Sequence, residues 1–412
     1  MATIKPFPGI RPQPQYASAI AALPYDVYSR EEAKAEVASH PLSFLRIDRP
    51  ETQFPDGFDM YSAPAYAKAR ELLQEMIQQG FFKQDERPFY YIYSLTREGR
   101  TQTGLVGCGS IDDYENNVIK KHENTRPGKE LDRFHHIEAC QAQTGPVFMA
   151  YQPVKEISDL LLKIKIEKPI YDFVADDQVR HQVWVVEDNI QINKLEEAFK
   201  NVESIYIADG HHRAESAAKV GLKHREDHPN QTGDEPYNYM MAVFFAQDQL
   251  EIMDYNRYVS DLNGHSPADF LDKIKSKYTL LETGETCEKP AKKGQVAMYL
   301  NGSWYSFDLS QRKSSGTSPI DNLDVSLLQE EILAPILGIE DPKSSPRIHF
   351  IGGIRGTVEL ERRSDQEGGV AFAMYPTAMG ELFEVADANL LMPPKSTWFE
   401  PKLRSGLFVH KI

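Results

Sequence analysis

Cysteine is scarce: Cys108, Cys140 and Cys287 are all there is in 412 residues. Three scattered thiols exclude a disulfide framework and a paired-thiolate zinc site, so they read as small buried residues. Long apolar runs are missing too. Nothing approaches the roughly 20 apolar residues of a membrane span, and residues 1–12 hold no run of signal-peptide length. A soluble cytoplasmic protein without a membrane partner is expected. Basic residues are in deficit, with 46 Lys and Arg against 61 Asp and Glu, a formal net charge of −15. That balance excludes nucleic acid as a bulk partner, because no cation excess is available for backbone phosphates, but it leaves room for a local basic pocket. There is no internal repeat and no low-complexity segment.

What is present suits two or three domains, with 41% hydrophobic residues to fill their cores. The chemically densest stretch is Ile205–Ala218. Residues 204–208 alternate and are β-prone, Gly210 supplies a turn, and 214–219 are strong helix formers, so the stretch reads as strand, tight turn and helix. A helix start offers unpaired N–H groups and a positive dipole end. With His212 and Arg213 added, it makes a seat for phosphate or carboxylate. The bland alternative is a plain connection with a capping Asp209, a helix-facing His211 and a solvated Arg213.

A second dense stretch runs from Lys120 to Arg133. Pro127 and Gly128 force a loop with a helix starting shortly after. Lys120, Lys121, Arg126, Lys129 and Arg133 could hold a phosphate while a carboxylate stays available for proton transfer or magnesium; a solvated charged loop is the competing reading. His135, His136 and Glu138 follow on the helix, but adjacent histidines point about 100° apart, which disfavours a shared metal. The third stretch, Met392–Leu407, combines two prolines, an aromatic pair and Lys395-Ser396-Thr397, giving restricted backbone and anion-binding groups.

Elsewhere the pattern predicts a helix over 30–38 capped by Ser29, and another over 66–79 closed by Gly80. Hairpins are expected over 89–111 and, across Asn301-Gly302, over 295–309. Further strands are expected at 147–151, 182–186 and 239–245, with an acidic loop at 172–177 and a polar loop at 229–236. A helix should span 266–278, and Asn322 or Asp324 should cap the one after it. Pro24-Tyr25-Asp26 is a restricted turn that could line a site. Alternating strands and helices make the fold mixed α/β. Residues 1–265 are expected to form an N-terminal α/β region, and 266–412 a C-terminal α/β region whose tail returns to the site.

Taken together and in order, Pro24-Tyr25-Asp26, the loop from His122 to Gly128 with Asp132-Arg133, the core from Ala208 to Arg213, and the tail from Met392 to Phe399 resemble the bacterial and archaeal domain-of-unknown-function family 1015. The match spans nearly the whole chain, with Leu23 standing where that pattern has a second proline. More distantly, Asp209-Gly210-His211-His212-Arg213 is similar to the motif of the chromosome-partitioning-protein and sulfiredoxin superfamily, which includes a kinase that phosphorylates free serine using ADP. The resemblance implies a core of that strand-turn-helix type, with the turn opening a helix at nucleotide phosphates. It also implies a link to serine metabolism. Glu123-Asn124-Thr125-Arg126 is similar to the superfamily's Glu-Asn-x-x-Arg box. Sulfiredoxin chemistry needs a cysteine in the turn, where this chain has His211.

The function expected on these grounds is phosphoryl handling: a nucleotide-dependent phosphotransferase acting on a small hydroxyl metabolite such as serine or phosphoserine. Glu123, Asp209 and His212 form the catalytic set, with Glu123 accepting the substrate proton and Asp209 fixing the turn or binding magnesium. Arg126, Lys129, Arg133, His211, His212 and Arg213 hold phosphates or substrate, with ADP or ATP as the nucleotide, and Lys395 and Ser396 close the pocket. A phosphoserine-type phosphatase and a non-catalytic nucleotide-binding switch are the alternatives. An oligomer is compatible with all three.

Overall fold

In the computed structural model, which describes residues 1–287, 289–312 and 318–412, the chain divides into two units. The first comprises Met1–Leu250 and Pro401–Ile412, and the second Glu251–Glu400. The boundary falls earlier than residue 265 because Tyr255–Val259 pairs with strands of the second sheet. The last twelve residues belong to the first unit: Val409 exchanges backbone hydrogen bonds with Ile10, and His410 pairs with Gln143.

The first unit is built on a nine-stranded mixed sheet. Its strands are β1 (Ile4–Lys5), β2 (Tyr90–Arg97), β3 (Arg100–Ser110), β4 (Ile119–Lys120), β5 (Val147–Tyr151), β6 (Tyr171–Val174), β7 (Arg180–Val186), β8 (Ile205–Asp209) and β9 (Tyr239–Ala246). They lie in the order β4-β8-β5-β9-β3-β2-β7-β6, with β1 beside β3. Parallel pairs join β8 to β4 and β9 to β5; the remaining neighbours are antiparallel. Every residue of β5 and β9 is buried, as strands covered on both faces require. β2 and β3 join through Glu98 and Gly99, both at positive φ (50° and 81°), the type I′ conformation that matches strand twist.

Three helices bear on the site: α1 (Ala63–Gln78), α2 (Pro127–Cys140) and α3 (His211–Asp227). α2 begins at Pro127 itself, whose missing N–H costs nothing in the first turn. Arg30–Ser39 is helical behind a capping box, Ser29 Oγ accepting from Glu32 N–H and the Glu32 carboxylate from Ser29 N–H.

The second unit carries a six-stranded antiparallel sheet, ordered Leu281–Gly284, Ser303–Asp308, Gln295–Leu300, Val370–Met374, Tyr255–Val259 and Ile348–Gly352. The Asn301-Gly302 hairpin forms, at φ of 50° and 83°.

Two local expectations fail. The acidic 172–177 stretch is partly strand β6: Asp172 stands opposite Gln182 in the ladder, and its carboxylate accepts two 2.7 Å hydrogen bonds from the Arg180 guanidinium on the neighbouring strand. Neither Asn322 nor Asp324 caps the following helix: Leu323 is its N-cap, and the Asp324 carboxylate accepts instead from Gly294 N–H at 2.6 Å. Among the described residues, no helix is long and apolar enough to cross a membrane.

Candidate functional site

β8 ends at Asp209, the chain turns through Gly210 at φ 92°, and α3 starts at His211. Only a residue without Cβ takes that left-handed corner cheaply. Asp209 does not cap the helix. Its Oδ1 accepts from Gly210 N–H at 2.8 Å, and its Oδ2 from Lys402 Nζ at 2.7 Å. Burial would raise the Asp209 carboxyl, but Lys402, with smaller help from His211 and the Gly210 N–H, holds it down at about 2. The side chain still keeps 44% of its surface in solvent.

α2 and α3 pack side by side, and their contacts fix the direction of each. Arg126 N–H donates to His212 Nε2 at 2.9 Å, Ser216 Oγ to the Glu130 carbonyl at 2.8 Å, and His224 meets Glu138 at 2.9 Å. The sequence separation is 86 in all three. A constant difference means parallel helices in register, so both N-termini open at the same end. Two parallel dipoles placed alongside disfavour one another, and an anion at the shared positive end offsets that cost. Arg126, Lys129 and Arg213 stand at that end.

The Tyr25 ring forms the floor. The Arg133 guanidinium lies 4.0 Å from its centre, Arg213 5.6 Å and Lys129 Nζ 5.9 Å, within the range of cation–π attraction. Arg49 clamps the turn beneath by donating to the Tyr25 and Tyr28 carbonyls at 2.9 and 3.0 Å. Burial pushes the Tyr25 phenol up to about 12, so it stays protonated.

Each histidine state follows from its surroundings. His212 is lowered from its ordinary value, first by burial and then by Arg126 and Lys129, against Asp26 and Glu130. Since Nε2 accepts from Arg126 N–H, the proton resides on Nδ1 and the ring is a neutral donor, not a cation. His211 is buried and lowered well below the usual value, by burial and then by His122. Its Nε2 accepts from His122 N–H at 3.4 Å, which turns Nδ1–H toward Glu123 Oε2 at 3.9 Å. His211 Nδ1 therefore faces the Glu123 carboxylate. Glu123 keeps 44% of its side-chain surface in solvent.

Arg133, expected to bind phosphate, is buried and engaged twice with Asp132 Oδ2, at 2.9 and 3.0 Å. Tyr66 steadies the same carboxylate from α1 at 3.1 Å. Arg133 thus props the Tyr25 floor. Arg213 reaches the Pro146 carbonyl at 3.3 Å and Ser405 Oγ at 3.4 Å, and passes so close to Gly145 that a Cβ there would sit 2.8 Å from Nη1. Gly145→Ala is expected to displace Arg213 and to weaken anion binding about tenfold with little loss of melting temperature; unchanged affinity would show that Arg213 is not a ligand.

Lys395 and Ser396 belong to the second unit. There Ser396 Oγ donates to the Pro393 carbonyl at 2.7 Å, and the Lys395 carbonyl accepts from Arg257 at 3.1 Å. Lys402, by contrast, donates to Asp209, although nothing in its local sequence distinguishes it from the other polar residues of the tail. No group of three or more His, Cys, Asp or Glu among the described residues is placed to hold a metal ion. Asp209 meets a lysine instead of further carboxylates, a donor set that does not fit a resident magnesium.

Fold and site together define an α/β protein in which two parallel helices open their N-termini at one end, beside the cations Arg126, Lys129 and Arg213. The sequence profile described as "Protein of unknown function (DUF1015)" matches residues 4–326, and the chain belongs to that family. No curated protein gives a significant sequence match. Similar solved structures include a free serine kinase mutant in complex with AMP, at 13% identity and a TM-score of 0.34 over 74% of this chain and 92% of that one. SbnI with a C-terminal truncation from Staphylococcus aureus gives 11% identity and 0.39 over 73% and 85%. A conserved hypothetical protein from Pyrococcus furiosus gives 11% and 0.36 over 74% and 94%. At such scores they assign no function.

Proposed function

We propose that this protein is a nucleotide-dependent phosphotransferase acting on a small hydroxyl substrate of the serine class. The observation that carries the reading is the register of α2 and α3, which sets two helix N-termini and the cations Arg126, Lys129 and Arg213 at one end, with Glu123 three residues before the α2 cap. Phosphoryl transfer asks for charge stabilisation and positioning more than for a nucleophilic side chain.

The helix ends and these cations hold the nucleotide's phosphates, and His212 Nδ1–H adds a neutral donor. The substrate hydroxyl oxygen attacks the terminal phosphorus, a new P–O bond forms, and the bond to the nucleotide's bridging oxygen breaks. Glu123 takes the hydroxyl proton, with His211 Nδ1–H orienting it. Asp209, held ionised by Lys402, stiffens the turn that aims the first N–H groups of α3.

Calorimetric titration with ADP and ATP tests the seat. The double variant Arg126→Ala/Lys129→Ala is expected to weaken nucleotide binding by about tenfold or more, and less so at high salt, since Arg126 is exposed. Wild-type affinity in the double variant would move the phosphates elsewhere.

A further inference from the structure

The second unit holds a buried cation without a counter-charge. Alternation along Tyr255–Val259 puts Arg257 on the face opposite Asn256 and Tyr258, and the residue is 3% exposed. Among the described residues it forms no ion pair. Its hydrogen bonds run to main-chain carbonyls, Nη1 to Tyr255 and Nη2 to Lys395 at 3.1 Å, while Nε meets no acceptor among those residues. The Phe350 ring lies 5.4 Å from the guanidinium. Burial pushes Arg257 down to about 10, with only the Tyr255 phenol in opposition. A buried guanidinium is ordinarily matched by a carboxylate, as Arg133 is by Asp132 in the first unit, because carbonyl dipoles alone do not offset its lost hydration.

A second cation and unpaired N–H groups belong to the same place. Lys395 follows Pro394 at φ 58°, a left-handed position that a residue with a side chain adopts only under strain. Ser396 Oγ holds the Pro393 carbonyl, Arg257 that of Lys395, and Thr377 Oγ1 that of Ser396 at 2.8 Å. These three carbonyls are taken inside the unit, whereas the N–H groups of Lys395 and Thr397 meet no acceptor among the described residues. The Lys395 side chain is exposed, and its ammonium lies 5.7 Å from the centre of the Tyr255 ring.

Donors left over beside two cations ask for an anion. We infer that Arg257, Lys395 and the 393–397 loop form a phosphate-binding site within the second unit, built from residues other than those at the helix ends. Two positive charges match a phosphate dianion. Nε is the guanidinium nitrogen left without an acceptor, so the set offers single donors from several sides, which suits a tetrahedral group better than a planar carboxylate that needs a paired fork. Free phosphate and a small phosphomonoester share this chemistry. The site stands independently of the phosphotransferase reading.

Acetylation footprinting of the full-length protein, read by mass spectrometry, tests the location. With inorganic phosphate at about ten times its dissociation constant, Lys395 should acetylate about tenfold more slowly, and acetate at equal ionic strength should leave the rate unchanged. Calorimetry supplies the second arm. In Arg126→Ala/Lys129→Ala, which weakens the seat at the helix ends, one phosphate is expected to bind still. Adding Lys395→Gln should weaken it about tenfold, the scale of one lost charge-assisted contact. Because Lys395 is exposed, folding is expected to survive that change.

Methyl phosphate binding more tightly than inorganic phosphate assigns the site to a phosphomonoester, and equal or weaker binding assigns it to the free ion. Equal protection by acetate overturns the phosphate assignment. An unprotected Lys395, phosphate affinity unmoved by Lys395→Gln, or no phosphate binding left in Arg126→Ala/Lys129→Ala overturns the site. Nucleotide binding unaltered in that double variant would instead remove the seat at the helix ends and leave this one standing.

Discussion

Glu123→Gln is expected to lower kcat by about 10²- to 10⁴-fold, the usual contribution of a positioned general base, while nucleotide affinity stays near that of the wild type. The separation follows from geometry. Glu123 is half-exposed on the loop before α2 and faces His211 Nδ1, whereas the proposed anion seat lies at the helix N-termini with Arg126, Lys129 and Arg213. Glutamine keeps the shape and a hydrogen-bond acceptor for His211 but cannot take a proton at neutral pH. A fall in kcat and kcat/KM together, with unchanged nucleotide binding by calorimetry, marks a role confined to the transition state. Near-normal turnover would remove Glu123 from the mechanism.

Lys402→Met should cost both activity and stability. The ammonium is largely buried, and it is the main group opposing the burial that would otherwise raise Asp209. Losing the second partner of a wholly buried pair costs about 3–5 kcal/mol. Asp209 keeps 44% of its side chain in solvent, which reduces the expectation to about 1 kcal/mol, a few degrees of melting temperature.

The sign with pH follows from the depressed carboxyl. Asp209 has a folded value of about 2 against 3.8 when unperturbed. Its contribution is therefore fully present above 3.8 and is lost as pH falls through about 2. Scanning calorimetry should show the gap between wild type and Lys402→Met to be constant from neutrality down to about pH 4, then closing toward pH 2. A gap that widens on acidification would contradict the pairing.

How far the sequence reveals this arrangement depends on the range of the forces involved. The strand-turn-helix at 205–218 and both positive-φ hairpins are legible because their signals are local: alternation, a glycine at a left-handed corner, and residue pairs suited to type I′ turns. The strand at Tyr171–Val174 is hidden because its acidic composition is balanced only by Arg180 on the neighbouring strand, visible once the ladder exists. The contact of Arg126 with His212 spans 86 residues, so the parallel register of α2 and α3, on which the anion seat depends, has no local trace.

Residue roles are less legible than residue locations. Arg133 has the composition of a phosphate ligand, but Asp132 beside it and the Tyr25 face above it turn it into a prop. His212 looks cationic in a basic motif until the Arg126 N–H claims its Nε2. Arg257 carries no local signal, and only its burial away from any carboxylate singles it out.

The most direct test of a phosphoryl-transfer site at the ends of α2 and α3 is a phosphorus NMR time course on the purified protein with magnesium, L-serine or phosphoserine, and ADP, ATP, pyrophosphate or no donor. Phosphoserine formed or consumed in step with a nucleotide change is the predicted result, and it identifies the donor. Free phosphate alone would make the protein a phosphatase, and a spectrum that never changes across the panel would contradict the account.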